Sequence, residues 1–148
     1  MAEAQRHAHE AVKSRSGAPG AFESLSAEKA SELEALTSLI IPSGATPGAR
    51  EAGVVYFIDK ALATFDRDQR EAYDRGLRMV QARRAEMFPG SKNFASLQPN
   101  EQLRLAQAIE NTAFFGMLRL HTIMGFLGRP EYGGNRAEVG WTLIGFKE

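Results

Sequence analysis

Apolar residues first take up a regular spacing at Ala30, Leu33, Leu36, Leu39 and Ile40, the repeat of one helix face. Ser26 stands before them as an N-cap, Glu28 falls in the first turn, and Pro42 stops the run. The loop "IPSGATPGAR" follows. A second helix is predicted over 51–65, with Val54, Ile58, Ala61, Leu62 and Phe65 on one side and Gly53 near its start for close approach to a neighbour. A third, long helix covers 66–88. Tyr73, Leu77, Val80 and Met87 form its stripe, and mixed charges fill a solvated face.

After the turn "FPGSKNF", Pro99 suits the first position of a fourth helix, whose face is Leu103, Ala106 and Ile109 with Leu105 beside it. Asn111 or Thr112 caps a fifth helix, "AFFGMLRLHTIMGFLG", which is apolar nearly all round. Such a helix is either central to the domain or partly covered by another chain. Gly128 and Pro130 end it, and periodicity is lost beyond them. "VGWTLIGF" predicts a short strand or an extended arm. The pattern therefore predicts a mostly α single domain over 22–148, of about five helices with an irregular C-terminal arm. Residues 1–21 are small, polar and charged, and are expected to form a mobile tail.

Composition narrows the function classes. A chain of 148 residues with 43% hydrophobic content builds a real core in one domain. Lys plus Arg is 18 and Asp plus Glu is 18, so no net field draws the protein to nucleic acid or to an anionic membrane. Near-zero charge also offers little colloidal protection, which suits life inside a complex. The absence of cysteine excludes disulfides, thiolate nucleophiles, iron–sulfur ligation and Cys-type zinc sites. No apolar run is long enough for a transmembrane segment. "MAEAQRHAHEAVKSRSGAPG" lacks the apolar core of an export signal, and Arg83-Arg84 is internal.

Candidate chemistry concentrates at the C-terminal end. "EYGGNRAEVG" follows no strand and matches no phosphate-binding fingerprint, so it reads as a tight turn. In that turn Gly133 or Gly134 takes a positive φ and Asn135 bonds the local backbone. His121, beside Thr122 on the apolar helix, reads as a satisfied, partly buried side chain; His7 and His9 lie in the tail. Glu131, Glu138 and Asp59 show no pairing that would raise a carboxyl pKa. Phe114, Phe115 and Phe126 read as core. Tyr132, Arg136 and Trp141 are residue types enriched at interface hot spots, so the segment is either an interaction arm or a lid over the domain's own core.

Four stretches carry a resemblance to a known family: "LTSLIIPSGATPGAREAGVVYFID", "FPGSKNFASLQPNEQLRLAQAIE", "FFGMLRLHTIMGFLG" and "PEYGGNRAEVGWTLIGF". The combination of IIP, GAREAGV, the His-Thr pair and YGGN followed by GW resembles the gluconate 2-dehydrogenase subunit 3 family. These are small or gamma subunits of membrane-associated, FAD-dependent dehydrogenases of sugars, glycosides or sugar acids. The resemblance implies a helical small-subunit domain over 22–148 with no catalytic or metal-binding residue and no cofactor of its own. It implies a large GMC-type partner that carries FAD, often with a cytochrome c subunit receiving the electrons. It also implies a role in folding and export of that partner, hence a periplasmic site peripheral to the inner membrane. No twin-arginine segment is read here, which leaves a cytoplasmic site as the alternative. Ala137 also departs from the acidic residue that the family pattern often has after Asn-Arg.

On this reading the docking core is Tyr132, Gly133, Gly134, Asn135, Arg136 and Trp141, with His121 nearby. The competing expectation is a free-standing small-molecule binder or hydrolase using His121 and a carboxylate.

Overall fold

The computed structural model describes residues 22–148; the expectations for the tail 1–21, including His7 and His9, lie outside the described residues. The described chain is one helical domain with seven α-helices. They are α1 (Ala27–Ile40), α2 (Ala49–Ala52), α3 (Val54–Ala63), α4 (Arg70–Met87), α5 (Pro99–Ile109), α6 (Ala113–Leu127) and α7 (Val139–Ile144). Short 3₁₀ turns cover Arg67–Gln69, Pro130–Tyr132 and Arg136–Glu138.

Local chemistry sets most helix ends. Ser26 Oγ accepts from the Lys29 amide at the start of α1, and Thr112 Oγ1 accepts from the Phe115 amide at the start of α6. Pro99 opens α5, where its missing N–H is no loss. The helix expected over 51–65 is divided in two. Gly53 adopts φ 65°, ψ 38°, so it ends α2 and starts α3. A left-handed residue cannot continue a right-handed helix, and glycine takes that conformation without steric cost.

Helix α6 is the centre of the domain and packs against α1, α2, α3, α4 and α7. The fully buried side chains Leu33, Leu36, Ile58, Leu62, Tyr73, Leu105, Ile109 and Leu118 form the core beside it. Gly76 on α4 leaves room for the Phe114 ring, which a Cβ there would overlap. Two buried carboxylates fasten irregular backbone to this frame. Asp59 accepts from the amides of Glu23, Ser24 and Leu25, at 2.9, 2.8 and 3.0 Å. Glu32 accepts from the amides of Phe94 and Ala95 and from Gln81 Nε2. Each is a charge-assisted arrangement that answers the cost of burying a carboxylate.

The expectation of a strand or extended arm after Pro130 is overturned. Residues 130–146 form two 3₁₀ turns and the short helix α7, folded back on α6. Local periodicity is absent because side-chain bonds to backbone hold the segment, as described next.

Candidate functional site

Asn135 is the hub of the C-terminal segment. It is 0% exposed, and its amide donates to the Gly125 carbonyl of α6 at 2.7 Å. Its side-chain Nδ2 donates to the Gly128 carbonyl at 2.8 Å, and its Oδ1 accepts from the Gly140 amide at 2.8 Å. One side chain thus satisfies the end of α6 and the start of α7 together. The backbone at Asn135 is left-handed, φ 44°, a region Asn tolerates better than most residues.

Close approach makes small residues obligatory beside it. A Cβ on Gly134 would overlap the Gly125 carbonyl, and one on Gly140 would overlap the Phe126 carbonyl. Gly133 carries the positive φ of the turn, 99°. Trp141 is 7% exposed, and its Nε1 donates to the Leu127 carbonyl at 2.6 Å. Arg136 stacks over the Tyr56 ring, 3.7 Å from its centroid, and its Nε donates to the Gly133 carbonyl. Tyr132 stays 46% exposed and meets Phe65 edge-on.

The residues of the expected docking core divide by their exposure in the isolated chain. Asn135, Gly134 and Trp141 are internal to the chain and act behind the surface, by holding the segment on α6. Tyr132 is the member of that set that offers a large exposed side chain. The segment is a lid on the domain's own core.

Two further backbone positions in the lid are strained. Ala137 and Glu138 have φ of 54° and 57°. A left-handed conformation costs an L-residue about 1–2 kcal/mol, so Ala137→Gly is expected to raise stability by up to about 1 kcal/mol, read as a higher urea midpoint. An unchanged or lower midpoint would remove strain from the description of this turn.

His121 is 4% exposed and sits in a second polar network. Its Nε2 meets Asp66 Oδ2 at 2.8 Å and its Nδ1 meets the Tyr73 hydroxyl at 2.7 Å. A carboxylate only accepts, so in the bond to Asp66 Nε2 is the donor; in the tautomer with that proton on Nε2, Nδ1 accepts from the Tyr73 hydroxyl. Phe57 meets the imidazole edge-on at 6.3 Å, and Phe114 packs on Tyr73 at 5.6 Å. The chain of bonds ties α6 to α4 and to the turn before it. Sequence reading found His121 but neither partner, because Asp66 and Tyr73 lie 55 and 48 residues away.

Burial, with a smaller push from Asp66, drives the Tyr73 phenol far above its ordinary pKa of 10.0. The folded protein therefore keeps a proton that the unfolded chain loses above that value. Stability from this group is complete below pH 10 and falls as pH rises beyond it. Tyr73→Phe is expected to flatten that alkaline decline; an identical decline in wild type and variant would show that Tyr73 does not cause it.

Both ring nitrogens of His121 are engaged and the Tyr73 hydroxyl is closed off from solvent. The arrangement resembles a proton relay in its atoms: His121 and Tyr73 are buried, and the Asp66 carboxylate at its end is partly exposed. Among the described residues no cluster of three His, Asp or Glu side chains could hold a metal ion. Among the same residues no helix is long and apolar enough to cross a membrane.

The outward side of α6 completes the picture. Phe114, Leu118, His121, Thr122, Gly125 and Phe126 face the core. On the opposite side stand Leu120, Ile123 and Met124, exposed by 57%, 41% and 38%. The helix is apolar on both sides, and the second side is exposed among the described residues.

The family profile described as Gluconate 2-dehydrogenase subunit 3 matches residues 27–147, from the first turn of α1 to past α7, and the chain belongs to that family. Membership implies a place in a multi-subunit complex. Searches of curated proteins and of solved structures return no match.

Proposed function

We propose that this chain is the non-catalytic small subunit of a membrane-associated, FAD-dependent dehydrogenase acting on sugars, glycosides or sugar acids. The observation that carries the reading is the family match over 27–147, which takes in every α-helix of the described chain. The partner is a large GMC-type subunit that carries the FAD, with a cytochrome c subunit as electron acceptor. The complex works in the periplasm, at the inner membrane.

In this role the chain acts by binding. A subunit that binds only the folded partner raises the partner's stability by mass action, by about 2.7 kcal/mol at a hundredfold excess over Kd. That favours the folded, FAD-loaded state and assists maturation and export. The internal bonding of four buried polar side chains supports this reading. Asp59, Glu32, Asn135 and His121 are all engaged by groups of their own chain. The free-standing hydrolase reading has His121 and Asp66 at bonding distance in its favour. Against it stands the burial of His121 and of Tyr73, whose side chains are closed off from solvent.

The test is expression of the flavoprotein encoded beside this chain, with and without it. Soluble, flavin-loaded dehydrogenase is expected only in its presence. Equal flavin content and equal activity without it would overturn the proposal.

A further inference from the structure

We propose that the outward stripe of α6, made of Leu120, Ile123 and Met124, is the surface on which the flavoprotein subunit docks. The partner presents an apolar strip bordered by a carboxylate. This rests on the reading above that such a partner exists.

The stripe does not end with α6. Leu127 follows Ile123 one turn later, and its carbonyl holds the Trp141 indole. Trp141 in turn packs its ring on Phe146 at 5.0 Å. The lid thereby brings Phe146, 49% exposed, to the C-terminal end of the helix. Leu120, Ile123, Met124 and Phe146 leave roughly 400 Å² of surface open, within the range for the largest patch on a monomer and about half of the ~800 Å² that one side of a stable interface buries. Gly116, exposed with open space around it, lets a partner approach the helix closely at the stripe's other end.

Charge favours a different chain over a second copy. Arg119 is the only charged residue on α6, and it stands exposed at the edge of the stripe. Among the described residues no carboxylate pairs with it. A two-fold pairing of this face brings two Arg119 side chains to one interface, with no acidic residue on either α6 to meet them. A heterologous partner can supply that carboxylate.

The experiment co-expresses the flavoprotein with tagged wild type, Leu120→Glu or Ile123→Ala and reads binding as dissociation of the recovered complex on dilution. Wild type and both variants are also checked alone for their melting temperature and mass. Leu120→Glu is expected to weaken binding at least about tenfold and Ile123→Ala by a few-fold, with melting temperatures unchanged. Ile123→Ala removes exposed carbon only, so it keeps the test valid if Leu120→Glu disturbs the fold. Wild-type affinity in both variants overturns the docking surface while leaving the partner intact. No binding by wild type overturns the proposed function instead. A dimer of this chain alone that Leu120→Glu dissolves assigns the face to a second copy and also overturns the inference.

Discussion

Asn135→Ala is expected to lower the unfolding free energy by about 3–5 kcal/mol, with a fall of roughly 10 °C or more in Tm. The substitution leaves the Gly128 carbonyl and the Gly140 amide without the partners that Asn135 provides. Each buried orphan costs about 1–3 kcal/mol, and an alanine at φ 44° adds about 1 kcal/mol of backbone strain. The chain contains one tryptophan, and it sits in this segment, so its fluorescence reports the lid directly. Indole emission should move toward that of a solvated tryptophan at lower urea than the loss of far-ultraviolet helix signal. Coincident transitions at the wild-type midpoint would show that Asn135 is not the hub.

Trp141→Ala is expected to cost a similar amount, about 3–5 kcal/mol, because it removes a buried aromatic and the bond to the Leu127 carbonyl. The location of the ring changes what the mutant measures. An anchor inserted into a partner would lower affinity and leave the isolated chain intact. Truncating a ring packed inside its own lid lowers the Tm of the isolated chain, and partner affinity falls because Phe146 is no longer held beside α6. Trp141→Phe separates packing from hydrogen bonding and should recover most of the loss. A Trp141→Ala chain with wild-type Tm but weakened assembly would restore the anchor role.

The parts of the fold that sequence made legible are those set by local chemistry. Ser26, Pro99 and Thr112 mark helix starts by groups that act within one turn, and α1, α4, α5 and α6 run close to their expected limits. The pattern of α6, apolar nearly all round, announced a helix either central to the domain or partly covered by another chain, and the helix is central. Gly53 was visible as a small residue, but its positive φ is imposed by the packing of α2 and α3 around α6, and nothing nearby in sequence encodes it.

The lid was the hardest part to read, for a physical reason. Its glycines and left-handed residues erase periodicity, and its shape comes from Asn135 reaching carbonyl and amide groups on α6 and α7. The motif YGGN with the following GW left an interaction arm and a lid over the domain's own core equally open, because its residue types are those of interfaces. Two of the glycines serve close backbone contact inside the chain, and the indole bonds an internal carbonyl. For His121 the satisfied reading was available from composition. The identity of Asp66 and Tyr73 as its partners required the fold.

The central claim is that this chain is a binding subunit of a flavin dehydrogenase, and one measurement meets it most directly. The chain is tagged, co-expressed with the flavoprotein encoded beside it, and the native mass and flavin content of the recovered particle are determined. The predicted result is a single particle that contains both chains and bound flavin. Recovery of this chain alone, with the flavoprotein present in the same cells in soluble, flavin-loaded and active form, would contradict it.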